Sequence, residues 1–299
     1  MKMQYGLSIF FSVMGLCYDA VLYLVRPSGE GGPSPGRKPA EGYPMEVKMR
    51  FLKARRDVLG LVTMACWLLL AGSLHAGPGK CLEGDCRNGS GTWAYPDGSR
   101  YTGQFLDGVP EGIGSAAYAD GSAYSGGFSR GKKNGSGRYT CPDGRRYDGG
   151  FKDDRLSGTG TYRYRDGMVY KGDFRDDRWN GTGDLSFPDG KRYTGQFRDD
   201  KRQGTGRFTW TDGQVYEGGY VNDRMQGTGT LTFPDSSRYE GQFRDNTYEG
   251  PGTFTWKDGT SVAGQFKAGK LEGPALITRP DGTKEEVQFS NGERVKKEK

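Results

Sequence analysis

Downstream of residue 80, apolar and polar positions alternate with a period of two, in two short runs that recur as a pair. The first run reads Tyr-x-Gly-x-Phe, as at Tyr193, Gly195 and Phe197; the second reads Gly-x-Gly-x-aromatic-x-aromatic, as at Gly158, Gly160, Tyr162 and Tyr164. Polar residues fill the alternate places, as do Thr194 and Gln196 in one run and Thr205, Arg207 and Thr209 in another. A period of two sends neighbouring side chains to opposite faces of a strand. Each run therefore predicts a strand with one face of aromatics and glycines and one polar face, and each pair predicts a β-hairpin. Glycines on the apolar face leave room for aromatic rings from neighbouring strands to lie over the backbone.

The pair repeats without insertion or deletion. Tyr101, Tyr124, Tyr147, Tyr170, Tyr193, Tyr216 and Tyr239 fall 23 residues apart, and Val262 takes the eighth place. The eighth residue of each unit is Gly108, Gly131, Asp154, Asp177, Asp200, Asp223, Asn246 or Gly269. Gly, Asp and Asn best tolerate a left-handed backbone, so this position predicts turn geometry, not catalysis. A later Asp-Gly, such as Asp166-Gly167, marks a second tight turn. Composition adds that 52 glycines, 18 tyrosines and 15 phenylalanines with a mean hydropathy of −0.79 suit many short strands better than an ordinary globular core.

The stretch Tyr124–Gly144 reads Tyr-x-Gly-x-Phe-x-x-Gly-x-x-x-Gly-x-Gly-x-x-x-x-x-Asp-Gly, and this pattern closely resembles the MORN (membrane occupation and recognition nexus) repeat. The resemblance spans about residues 81–292. It implies an all-β fold, an elongated, twisted antiparallel sheet of stacked hairpins. It also implies scaffolding, protein–protein contact, dimerisation and in some members association with acidic phospholipid, with no catalytic residues to carry over. The ends depart from the pattern: Cys81-Leu-Glu-Gly-Asp-Cys86 replaces half of the first unit, and Ala275 and Arg279 replace a Gly and an aromatic in the last. Atypical end units are expected of a stack that must cover its open edges.

Residues 1–80 are of another kind. Arg50, Lys53, Arg55 and Arg56 precede Val58–Leu74, seventeen residues without a charge, and then Ser73-Leu74-His75-Ala76-Gly77. The order of basic, apolar and small residues reads as a helical signal peptide or membrane anchor over 49–76. Residues 1–48 read as an over-extended start or a disordered or membrane leader extension, 77–292 as a repeat array of about nine units, and 293–299 as a charged tail. Met3–Val25 as a second span and an uncleaved anchor at 58–74 are the rival topologies. Segment 26–57 carries eight basic residues against four acidic, so the positive-inside tendency puts the array outside the cytoplasm in each case, whether periplasmic, secreted or membrane-anchored. Cys81 and Cys86 could close a small loop in such a compartment or remain free thiols. Two cysteines without a downstream histidine are too few ligands for zinc, and Cys141, in an aromatic slot, reads as apolar filling.

Charge narrows the function classes. Between Cys81 and Lys284 there are 29 Lys/Arg and 28 Asp/Glu, so the net +6 of the chain comes mostly from the leader. A nucleic-acid binder concentrates positive charge on its working surface; this array does not, and no nucleic-acid partner is expected. The sole histidine, His75, lies in the leader, which leaves no His-based triad in the array, and no cofactor or metal is expected. One ladder stands out: Lys152-Asp-Asp-Arg155, Arg175-Asp-Asp-Arg178 and Arg198-Asp-Asp-Lys201. Stacking lines these up as basic and acidic rows along one edge. The rows form either a self-neutralising solvated edge or a set of cations that meets an acidic partner or lipid phosphates. The aspartate pairs lack the alternating spacing of calcium loops. The expected function is a non-enzymatic scaffold that binds another protein or itself through the aromatic face or the sheet edges; the alternative is a peripheral binder of acidic phospholipid or envelope polymer.

Overall fold

The computed structural model describes residues 79–295; the segments read as leader extension and signal or anchor lie outside them. The described residues form twenty strands in chain order, β1 (Lys80–Gly84) to β20 (Glu293–Arg294). Each strand pairs antiparallel with its neighbours in the chain, giving one open sheet. At ~4.8 Å per strand the sheet runs on the order of 90 Å. Among the described residues no helix is long and apolar enough to cross a membrane.

Strands of seven and nine residues alternate through the array. β3 (Arg100–Leu106) carries the Tyr-x-Gly-x-Phe run and β4 (Val109–Ala117) carries Gly-x-Gly. The glycines form a continuous cross-strand seam, with Gly103 opposite Gly114, Gly114 opposite Gly126, and so on to Gly252 opposite Gly264. Each tyrosine lies flat over the seam of its own repeat. A Cβ on Gly114 would fall inside the ring of Tyr101, whose hydroxyl donates to the Gln104 carbonyl at 3.0 Å. The seam ends where its tyrosine does: Val262 replaces Tyr, and the glycine that the ring would cover is Ala275.

Adjacent repeats are joined through these rings. Tyr147 meets Phe151 of its own repeat at 5.2 Å and Phe174 of the next at 5.1 Å, both edge-on, the favourable arrangement for aromatic quadrupoles. The same pairing recurs along the array, from Tyr101 with Phe105 and Phe128 to Tyr239 with Phe243 and Phe266. The seven tyrosines of the 23-residue row, Tyr101 to Tyr239, are 0–1 % exposed. The rings that join the repeats are thus buried, while the second aromatic of a unit, such as Tyr164, Trp210, Phe233 or Trp256, stays partly exposed on the same face. Two cations enter this core. Lys133 is 1 % exposed, with its ammonium 5.6–6.0 Å from the centroids of Tyr118, Tyr124 and Tyr139. Arg202, three repeats on, lies over Tyr193, Phe208 and Tyr220.

The two ends differ from the interior. β1 pairs with β2 (Ser90–Ala94) across a bulge, and Cys81 and Cys86 are joined there, with Sγ atoms 2.08 Å and Cα atoms 6.0 Å apart. At the other end β19 (Lys284–Ser290) buries Val287 and Phe289, and the two residues of β20 pair with Ser290 and Phe289.

Candidate interaction surfaces

The edge formed by the two-residue turns and the polar face are open to solvent, and the aromatic face keeps partly exposed rings at Tyr164, Trp210 and Trp256. Both central residues of each such turn have positive φ, for example Asp176 (49°) and Asp177 (67°) or Asp199 (48°) and Asp200 (66°). These are type I′ turns, which match the right-handed twist of paired strands. The Asp-Gly turns at the opposite edge are of another kind. There Gly167 alone is left-handed, its N–H donates to the Tyr164 carbonyl at 3.1 Å, and Asp166 Oδ1 accepts from Met168 N–H at 3.0 Å.

The eighth-position aspartate locks each turn to the preceding repeat. Asp200 donates its N–H to the Trp179 carbonyl at 3.1 Å, and its Oδ1 accepts from Trp179 N–H at 2.8 Å. Asp154, Asp177, Asp223 and Asn246 make the same two-way clamp, to Lys133, Leu156, Arg202 and Met225. Gly131, which has no side-chain acceptor, faces Pro110, which has no N–H to be accepted. Burial raises the carboxyls of Asp177 and Asp200 above the usual aspartate range, against the lowering pull of the N–H bonds from Leu156 and Trp179. These aspartates hold the stack together and are not free for a ligand.

The basic ladder lies on this edge. Within each hairpin two cations stand directly opposite: Lys152 and Arg155, Arg175 and Arg178, Arg198 and Lys201. Like charges placed so are destabilising, and acids of the following turn offset this in part. Arg155 meets Asp176 at 3.2 Å, Arg178 meets Asp199 at 3.8 Å, and Arg224 meets Asp245 at 2.8 Å. All six groups are more than half exposed, so each pair contributes at most about 1 kcal/mol. Arg175 donates to Asn180 at 2.9 Å, whereas Lys152, Arg198 and Lys201 form no ion pair among the described residues. The turns of three repeats enclose a shallow cleft of about 490 Å³ lined by four cations, Arg155, Arg178, Arg198 and Lys201, and four aspartates, Asp176, Asp177, Asp199 and Asp200, with Gln203 and Asn222.

The polar face carries a row that reading by single repeats passes over. Arg100, Arg146, Arg192, Arg238 and Lys284 recur every 46 residues, two repeats apart, each four residues after a proline (Pro96, Pro142, Pro188, Pro234, Pro280). They share one register position across the sheet; Arg146 stands opposite Thr140 and Arg163, and Arg192 opposite Ser186 and Thr209. Four strands separate successive members, ~19 Å at the usual strand spacing. The row holds no acid, but the adjacent row answers it: Arg146 pairs with Asp148 at 2.7 Å, Arg192 with Asp184, and Arg238 with Glu240 at 3.2 Å. Among the described residues no group of three or more His, Cys, Asp or Glu is arranged to hold a metal ion.

Solved structures with related sheets include the TCP domain of Drosophila melanogaster SAS-4 in complex with a proline-rich motif of Ana2. It is 16% identical over 52% of this chain and 85% of that one, with a TM-score of 0.36. The G-box domain of the microcephaly protein CPAP gives 17% identity over 68% and 100%, with a TM-score of 0.36. The TCP10 domain of Danio rerio CPAP gives 13% over 70% and 88%, at 0.26. Scores this low carry no functional argument. No curated protein matches the chain. The MORN repeat family model matches nine consecutive segments, from 87–100 through 124–145 and 193–215 to 263–284, and the chain belongs to the MORN repeat family.

Proposed function

We propose that this chain is a non-enzymatic scaffold that works outside the cytoplasm and binds another protein, or a second copy of itself, through the edge formed by its type I′ turns. The observation that carries the reading is that edge. The Tyr and Phe rows of the aromatic face are taken up by repeat-to-repeat packing, while like-charged pairs persist at Lys152/Arg155, Arg175/Arg178 and Arg198/Lys201, an arrangement unfavourable for the fold alone. The acids interleaved with these cations favour a protein over a lipid surface, because anionic headgroups would meet Asp176 and Asp199 as well. The location rests on the sequence upstream of the array, with its basic stretch and the apolar run Val58–Leu74 read as a helical signal or anchor, and on two closely spaced cysteines in the first hairpin.

The test is fractionation of the native cells followed by chemical cross-linking and purification of the full chain. A reproducible protein adduct in the extracytoplasmic or membrane fraction is expected. A protein found only in the cytoplasm, or one that yields vesicle binding without any protein adduct, overturns the reading.

A further inference from the structure

The ladder on the turn edge is built on one geometric rule. Among the described residues, six of the eight nine-residue strands open on a base, and in three of them that base pairs with the first turn residue of the next repeat, 21 positions on; Lys132 stands in the same relation to Asp153 without an ion pair. Arg155 faces Asp176, Arg178 faces Asp199 and Arg224 faces Asp245, each within ion-pair distance. Lys201 follows the same rule, but the residue 21 positions on is Asn222. Lys270 also faces an amide, Asn291, and donates to its Oδ1 at 2.9 Å. Among the described residues Lys201 forms neither an ion pair nor such a bond. The Asn222 backbone N–H donates to Gln203 Oε1 at 3.1 Å, as the Asp245 N–H does to Gln226 Oε1. The cation directly opposite Lys201 is Arg198, which also forms no ion pair among the described residues. Lys201 is thus left without the carboxylate that Arg178 and Arg224 have in the neighbouring rungs, Arg198 beside it is also without one, and both line the 490 Å³ cleft.

We infer that the rung formed by Arg198, Lys201 and Asn222 is a docking site for an acidic peptide segment, whose Asp or Glu carboxylate completes the interrupted ladder. This rests on the scaffold reading and deepens it by naming the site and the chemistry of the partner. A carboxylate is the group that is missing, since an aspartate occupies the equivalent place in the rungs on either side. Asp176, Asp177, Asp199 and Asp200 also line the cleft and oppose a doubly charged phosphate or a continuous anionic surface more strongly than a single carboxylate on a flexible chain. Gln203 and Asn222 supply side-chain amides able to bond the peptide backbone. The cleft holds a few residues, so the site reads a short acidic motif and not a folded surface.

The experiment uses the full chain and a fluorescein-labelled peptide of alternating Glu and Ser, with a Gln/Ser peptide as control. Fluorescence anisotropy is measured at low and at physiological salt. The wild-type chain binds the Glu/Ser peptide in preference to the control, and more weakly as salt rises. Asn222→Asp supplies the missing carboxylate in cis and weakens binding about threefold to fivefold, the range expected for one exposed ion pair. Lys201→Gln does the same. The first of these variants keeps its fold, because aspartate already occupies this turn position, at nearly the same φ, in Asp153, Asp176, Asp199 and Asp245. Arg163→Gln removes one positive charge from the polar face and leaves binding unchanged. Asp199→Asn, which frees Arg178, strengthens it. The inference is overturned if Asn222→Asp binds as the wild type does, if Arg163→Gln loses as much, or if the control peptide binds equally. It is also overturned if inorganic phosphate, or vesicles of phosphatidylserine and phosphatidylcholine, displace the peptide at lower anionic concentration than free glutamate peptide. A cross-linked natural partner that is captured equally by Asn222→Asp sinks the site and leaves the scaffold reading standing. Absence of any partner adduct sinks the scaffold reading, whatever the peptide does.

Discussion

If the eighth-position aspartates hold each turn to the repeat before it, graded changes at Asp200 should separate the parts of that clamp. Asp200 has φ of 66°, receives the Trp179 N–H at 2.8 Å and gives its own N–H to the Trp179 carbonyl. Asp200→Asn keeps the acceptor and the tolerance for a left-handed backbone, as Asn246 does with Met225, and should cost nearly nothing at pH 7. Asp200→Gly keeps the backbone but strands the Trp179 N–H, a loss of about 1 kcal/mol for one hydrogen bond. Asp200→Ala loses the bond and also places a Cβ in the left-handed region, which adds roughly 1–2 kcal/mol. The expected order of stability is wild type and Asn, then Gly, then Ala, read as midpoint shifts in urea with far-ultraviolet circular dichroism. Burial raises the Asp200 carboxyl, so its folded pKa lies above the unfolded one. Stability linked to that proton is present at low pH and falls as pH rises from 3.8 through the raised value. The Asn variant lacks this dependence and should gain on the wild type across that window. An alanine variant as stable as the glycine variant, or an asparagine variant as weak as either, would refute the clamp.

Three further outcomes follow from the packing. Gly160→Ala drives a methyl into the Tyr147 ring and should cost on the order of 1–3 kcal/mol; adding Tyr147→Val, the combination found at Val262 and Ala275, should recover much of that loss in a double-mutant cycle. Phe174→Ala removes a ring wedged between Tyr147 and Tyr170 and should cost about 3 kcal/mol or more. Phe266→Ala should cost less because Val262 replaces the tyrosine of its own repeat, leaving Tyr239 at 5.0 Å and only the more distant Tyr248 at 5.9 Å, and equal losses would contradict the ring-to-ring account. Burial pushes Tyr193 up to about 12 from its ordinary 10, so stability falls as pH climbs through that window. Tyrosinate absorbance should then appear together with loss of the near-ultraviolet signal, and a titration centred at 10 in a folded protein would refute the burial of the tyrosine row.

Much of this was legible in the sequence, because the 23-residue period reports both strands and the glycine seam. Gly, Asp and Asn at the eighth position betrayed its left-handed backbone. The seventh position carries no such signal although it too is left-handed, since Arg130 and Ala268 stand there (φ of 51° each) and neither is a turn residue by type. The cation cages were not legible. Their position holds Pro110, Lys133, Leu156, Trp179, Arg202, Met225, Tyr248 and Leu271, so it accepts any bulky stem that can lie on a ring. The cation rows were visible as composition, but which acid answers which base depends on the 21-residue offset set by stacking. The row at Arg100, Arg146, Arg192 and Arg238 needed only a search at twice the repeat length.

The central claim is that partners meet the turn edge and not the polar face. Site-specific photo-cross-linking in the native cells tests this most directly, with a photoreactive residue placed singly at the exposed Val221, beside Asn222 on the edge, and at Thr230 on the polar face. The account predicts a discrete protein adduct from position 221, weakened by Asn222→Asp, and little or none from position 230. An adduct from position 230 alone would contradict it.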